Sequence, residues 1–118
     1  MFVLGLGNAS AGPLEDGNAA YTRKDYATAL AIWRPLAEQG NADAQGNLGA
    51  MYANGARVAR DEKEAAHWYR LAAEQGLAIP QYLLGGLYGS GRGVAKDKKE
   101  AVKWYRLSAA QGFANAQN

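Results

Sequence analysis

The 118-residue chain holds one histidine, His67, and no cysteine. Disulfides, thiolate nucleophiles and thiolate metal sites are therefore excluded, and one imidazole cannot build a multi-histidine metal centre. A catalytic His67 would need an orienting partner and a pocket. Its companions at helical spacing are Lys63, Arg70 and Glu74, which places it on a solvated helix face instead. Residues 89–94 read Gly-Ser-Gly-Arg-Gly-Val, but a phosphate-cradling loop needs lysine and serine or threonine at fixed spacing after a strand. Gly5-Leu6-Gly7 likewise has no strand–helix unit around it, and Asn8-Ala9-Ser10 is a glycosylation sequon by pattern alone. No serine–lysine pair stands at the spacing that acylating enzymes use. The residues point to no catalytic group, no metal ligand and no cofactor.

The elements that would position any site emerge from an internal repeat, which must be sought early because missing it miscalls the whole fold. Trp68-Tyr69-Arg70-Leu71 recurs 36 residues later as Trp104-Tyr105-Arg106-Leu107. Gln39-Gly40, Gln75-Gly76 and Gln111-Gly112 keep the same step, as do Leu48-Gly49 with Leu84-Gly85 and Tyr52 with Tyr88. Each unit reads as two helices. Asp61 and Glu64, then Asp97 and Glu100, have the spacing of a capping box at the start of a second helix. Asp25 keeps the cap, but Thr28 replaces the glutamate. Gly40, Gly76 and Gly112 stop these helices. First helices begin around Asn41 and near Ile79-Pro80, and end at Asn54-Gly55 and Ser90-Gly91.

At 100° per residue, Ala44, Gln45, Leu48, Met51 and Tyr52 share one side of a first helix. Ala65, Trp68, Tyr69 and Ala72 share one side of a second, and Gly49 and Gly85 flank the buried stripe. One helix pair cannot bury such faces alone, so the units must stack into an all-α, α/α solenoid of antiparallel pairs. The seven tyrosines and three tryptophans are then mostly inter-helix packing.

The residues also match a family pattern. Ala-Gln-x-x-Leu-Gly-x-x-Tyr at 44–52, Trp-Tyr-x-x-x-Ala at 68–73 and Gly-x-Gly-Val-x-x-Asp at 91–97 resemble the Sel-one-like repeat, a relative of the tetratricopeptide repeat. The resemblance covers about Asn18 to Gln117. It implies a tetratricopeptide-like superhelix used mainly for protein–protein contacts, often in bacterial envelope, secreted or signalling proteins. Some cysteine-rich members are credited with penicillin binding or β-lactamase activity, which keeps a cell-wall-related hydrolase as the alternative, and a spacer within a larger regulator is another. This chain has none of those cysteines. Arg57 stands where Gly93 keeps the loop glycine, so the loop at 55–60 is expected to differ in shape. The degenerate unit at about 12–40 has the short turn Lys24-Asp25 and reads as a capping repeat. Fuller units follow at about 41–76 and 77–112. Residues 113–118 match the opening of another first helix, so the reading is a fragment of a longer array or self-association through an open C-terminal end.

The expected function is a non-enzymatic scaffold that binds a peptide or protein on its concave helical face. That face would hold Asn47, Asn54, Ile79, Tyr82, Leu83 and Ser90, with Gly46, Ala50, Gly86 and Gly89 leaving a groove between them. Tyr82 and Leu83 replace Gly46 and Asn47 of the preceding unit, so Tyr82 is the first anchor candidate, unless Ile79, Tyr82 and Leu83 only pack on a further unit. A basic ridge runs through Lys63, His67 and Arg70 to Lys99, Lys103 and Arg106. Its aromatics lie on the opposite, buried side and carboxylates dilute it, so nucleic acid is not the expected partner; an acidic partner remains open. The formal net charge of +2 gives no broad steering field.

No apolar run approaches the roughly 18 residues of a membrane span. Residues 1–7 are apolar, and Ala9-Ser10-Ala11 before Gly12 has the small-residue pattern of a signal cleavage site. Two readings stay open for residues 1–11: a signal-peptide remnant, which implies a periplasmic or secreted protein, or a disordered terminus, which leaves it cytoplasmic.

Overall fold

The computed structural model describes residues 12–113. The expectations placed on residues 1–11 and 114–118, the signal remnant and the opening of another helix, lie outside the described residues. Among them run six helices: α1 (Pro13–Thr22), α2 (Tyr26–Glu38), α3 (Ala42–Asn54), α4 (Glu62–Glu74), α5 (Ala78–Ser90) and α6 (Lys98–Ala110). Each packs on its neighbours in sequence, pairing as α1/α2, α3/α4 and α5/α6, and the pairs stack in order. The result measures 56 × 30 × 23 Å with a radius of gyration of 15.8 Å. A globule of about 100 residues has about 13 Å, so the chain is the elongated solenoid its period demands.

Local chemistry sets the helix ends. Asp61 Oδ1 accepts the amides of Lys63 and Glu64 at 3.0 and 3.1 Å, and Asp97 repeats this on Lys99 and Glu100. The reciprocal half of the expected capping box is replaced. The Asp61 and Asp97 amides donate to the carbonyls of Tyr52 and Tyr88, at the ends of the preceding helices. Glu100 is thereby released and accepts from Trp104 Nε1 at 3.2 Å. Asn41 caps α3 through Ala44, whereas α5 starts at Ala78 without a side-chain cap, one residue before the expected Ile79.

Two expectations about loops are corrected. The loop at 55–60 keeps the shape of its successor: Gly55 and Gly91 both sit at φ 71°, and Arg57 takes φ 68° where Gly93 takes 74°. The arginine accepts a left-handed conformation that costs a side-chain-bearing residue roughly 1–2 kcal/mol, because the rest of the loop dictates it. The first unit is also less degenerate than it reads. It forms a full helix pair, with Arg23–Asp25 spanning what takes Gly55–Asp61 in the next unit. The loop is four residues shorter, which shifts the helix α1 register and hides its match to α3 and α5.

That shift conceals a recurring contact. A methyl added at Gly49 would lie 2.6 Å from Tyr69 Cδ1, and one at Gly85 would lie 3.0 Å from Tyr105 Cδ1. At Gly17 the same methyl would meet the indole of Trp33, 2.6 Å from Cδ1. Trp33, Tyr69 and Tyr105 stand one repeat apart, and each ring lies in the slot of a first-helix glycine. Overpacking such slots typically costs 1–3 kcal/mol. The two cores that result bury Trp33, Leu48, Met51 and Trp68 in one, and Tyr69, Leu84, Leu87 and Trp104 in the other.

Glutamines join one unit to the next. Buried Gln45 donates through Nε2 to the Ala37 carbonyl at 3.1 Å, and its Oε1 accepts from Gln75 Nε2 at 2.9 Å. Gln75 Nε2 also donates to the Gly40 carbonyl. Gln81, Gln111, Ala73 and Gly76 repeat the whole arrangement one unit on. Arg34 reaches forward to the Tyr52 hydroxyl at 2.8 Å, and Arg70 lies 5.3 Å from the Tyr88 ring centroid. Buried amides that are fully paired rigidify a stack, since each orphaned partner would cost about 1–3 kcal/mol.

Candidate binding groove

The first helices of consecutive units do not close against each other. Between α3 and α5 lies a cavity of about 410 Å³, bordered by Asp43, Asn47 and Ala50 on one side and Ile79, Pro80 and Leu83 on the other. Gly46 leaves its width, because a methyl there would already stand 3.3 Å from Pro80 Cγ. A second cavity of about 450 Å³ adjoins it towards the loops, with Ala53, Asn54, Leu83 and Leu87 on its walls and Arg60, Glu62 and Arg92 at its mouth. A third, of about 250 Å³, runs towards α1 between Asn18, Tyr21, Trp33 and Asn47. Shared walls make these one groove: Leu83 and Tyr69 border the first two, and Asn47 and Ala50 border the first and third.

Tyr69 is the floor. Its ring is held in the Gly49 slot and is 5% exposed, yet it borders both larger cavities. Burial, with a smaller contribution from Tyr21, pushes its hydroxyl up to about 12. A desolvated phenol of this kind stays protonated well into the alkaline range. The walls are mostly apolar: Leu83 is 36% exposed and Ile79 56%. Polar groups sit at the rim. Asn47 Nδ2 donates to Asn18 Oδ1 across the α1–α3 gap at 3.4 Å, a long bond that a ligand can displace. At the loop end Glu62 Oε2 accepts from Arg60 at 3.0 Å and pairs with Arg92, from the next unit, at 3.7 Å.

The residues expected to bind a partner are thus divided. Asn47, Asn54, Ile79 and Leu83 line the groove. Tyr82 turns the other way, with its ring 5.5 Å from that of Tyr105 and 5.1 Å from that of Phe113. Ser90 bonds back into its own helix, Oγ donating to the Gly86 carbonyl at 2.8 Å. Sequence reasoning missed Tyr69, which it assigned wholly to the core, and the two arginines at the mouth. The signal for Tyr69 was its type: a buried tyrosine brings a polar tip that must point somewhere. His67 is exposed on α4, edge-on to Trp68. Among the described residues no group of three or more His, Asp or Glu side chains is placed to hold a metal ion, and no helix is long and apolar enough to cross a membrane.

Comparison with known proteins agrees with this architecture. The Sel1 repeat family matches residues 6–41, 42–77 and 81–113. A Sel1 repeat protein from Oxalobacter formigenes superposes with a TM-score of 0.83 at 38% identity, covering 89% of this chain and 82% of that one. A protective antigen present in uropathogenic Escherichia coli strains, displaying an SLR fold, gives 0.82 at 36% identity over 88% of this chain but 23% of its own. Cysteine rich protein B of Helicobacter pylori shares the fold, with a TM-score of 0.73 at 20% identity over 92% of this chain and 97% of its own. No curated protein sequence matches at comparable strength. With three repeats matched across most of its length, the chain belongs to the Sel1 repeat family.

Proposed function

We propose that the chain is a non-enzymatic interaction scaffold that takes an extended peptide or protein segment in the groove between its first helices, on the concave side of the stack. The observation that carries this reading is the continuous trough over Tyr69, apolar along Ile79 and Leu83 and rimmed by Asn47 and Asn54. Solenoids of stacked pairs offer such preformed surfaces, and a preformed surface spares a ligand part of the ordering cost of binding. Apolar side chains would settle beside Leu83 and Leu87, while the two asparagines would pair with the segment's backbone. A small, fixed groove with few charged groups favours shape recognition over chemistry.

Affinity capture with the purified chain, followed by identification and titration of the partner, tests this. Asn47→Ala combined with Leu83→Ala should weaken the captured complex about tenfold or more, the loss of one apolar anchor and one amide. His67→Ala should leave it unchanged. Equal affinity for the groove double variant and the parent would sink the assignment. Turnover of nitrocefin by the pure chain would overturn the non-enzymatic part.

A further inference from the structure

The few charges of the groove stand at its two ends and differ in sign. Both walls belong to consecutive described units, so the opening is a property of their junction. At the end where α3 and α5 begin, Asp43 is the one charged wall residue among the described residues, and it has no ion pair among them. At the loop end stand Arg60 and Arg92 with Glu62. The two arginines share a single carboxylate oxygen, Glu62 Oε2, at 3.0 and 3.7 Å. Two positive charges thus meet one negative charge, and two guanidinium forks keep donors to spare.

This mouth is not a property of the repeat. At the junction of the first two units Tyr26 and Ala56 hold the places of Glu62 and Arg92. The cavity there has no charged residue on its walls among the described residues. Residues that recur in every unit build the stack, whereas those peculiar to one junction are free to choose what enters it. Between the ends, Ile79, Leu83 and Leu87 follow one another at four-residue steps along α5, about 6 Å apart. Alternate side chains of an extended strand are about 6.6 Å apart, so they can sit beside these three in turn. From Asp43 to Asn54 the groove runs along eleven residues of α3, about 16 Å. Beyond the mouth a shallow depression of about 440 Å³ leads past Arg60 and Glu62 to Lys63 and Gly93, so a bound chain can run on.

On the reading that the groove is the binding surface, we infer that it selects an extended segment of another protein by charge as well as shape. The segment carries a basic side chain at Asp43, apolar side chains at alternate positions along Ile79, Leu83 and Leu87, and an acidic side chain between Arg60 and Arg92. Shape admits the apolar middle, and the end charges fix its register. Because the trough continues past the arginines, the carboxylate is that of an internal side chain rather than a chain end.

The peptide Lys-Ser-Leu-Ser-Leu-Ser-Glu-Ser-Ser, acetylated and amidated, tests the pattern by isothermal titration calorimetry. Saturable binding should weaken about tenfold in Arg60→Glu/Arg92→Glu and about threefold or more in Leu83→Ala. Exchanging the peptide's glutamate for lysine should weaken binding to the parent protein and restore it to the doubly reversed variant, a rescue that mere structural damage would not give. Asp43→Lys should weaken it in turn, and Lys99→Glu on the exposed side of α6 should not. All these positions are on the surface, and circular dichroism verifies that each variant is folded. Binding indifferent to the charge changes but lost in Leu83→Ala would overturn the charge pattern and leave the groove reading standing. Binding indifferent to Leu83→Ala would overturn both. No saturable binding, or tighter binding of a peptide whose free terminal carboxylate takes the glutamate's place, would also overturn the inference.

Discussion

Replacing Gly93 with alanine should destabilise the protein by about 2–5 kcal/mol, while replacing Arg57 with glycine, at the equivalent place in the preceding loop, should cost nothing or stabilise it slightly. Gly93 sits at φ 74° and Arg57 at φ 68°, so each loop demands the left-handed conformation. Holding a residue with a side chain there costs roughly 1–2 kcal/mol. At Gly93 a second penalty adds to the first. A methyl would overlap the carbonyl oxygen of Glu62 and crowd the Lys63 amide, which are backbone atoms in the first turn of α4 and cannot swing aside. Overpacking of this kind costs typically 1–3 kcal/mol. In Arg57→Gly the conformational strain is relieved, and the greater freedom of glycine in the unfolded chain returns about 0.5–1 kcal/mol of that gain. Urea unfolding followed by circular dichroism measures both, with the slope of the transition reporting whether the third unit still unfolds with the rest. The reasoning fails if Gly93→Ala stays within about 0.5 kcal/mol of the parent, or if Arg57→Gly is the more damaging of the two.

Three further outcomes follow from the packing. Gln81→Ala should cost about 2–4 kcal/mol in the same assay, since it orphans the Ala73 carbonyl and removes the acceptor for Gln111 in a buried site; Gln75→Ala, on the exposed member of the preceding relay, should cost clearly less. Pro35 stands inside α2 where Leu71 and Leu107 occupy the later units, so Pro35→Leu should restore a helical amide and stabilise the exposed turn by about 1–3 kcal/mol, read as a higher melting temperature. Tyr69 is raised in the folded state to about 12 from about 10 when unfolded. Its contribution is therefore complete below about pH 10 and is lost as the pH climbs towards 12, a decline of about 2–3 kcal/mol that Tyr69→Phe should largely abolish in alkaline unfolding titrations.

The period of 36 residues was legible because identical residues fill identical slots: Trp68 and Trp104, Gln75 and Gln111, Gly49 and Gly85. The all-helical fold and its stacking follow from that period. Less legible was everything set by the contact between units. Asp61 and Glu64 have the spacing of a capping box, but the amide of Asp61 is claimed by Tyr52, which no local pattern announces. Gly17 was concealed by a loop four residues shorter than its successors, and Arg57 by the assumption that residue type decides loop shape when the surrounding chain decides it. Helical phase places Asn47, Asn54, Ile79 and Leu83 on one side of the first helices, and these four line the cavities there. It could not resolve Tyr82 from Leu83, since one residue is 100° of helix and the difference between facing the trough and facing Phe113. Tyr69 escaped because helical phase assigns its ring to the core and carries no sign of the cavities that ring also borders.

The groove assignment is tested most directly by site-specific photocrosslinking. A photoreactive amino acid placed at Leu83 should capture the partner, and one at Asn54 should capture the same partner from the other end of the trough. The same group at His67, on the exposed face of α4, should capture none of it. Crosslinks from position 67 with none from 83 or 54 would contradict the account and move the binding surface to the opposite side of the stack.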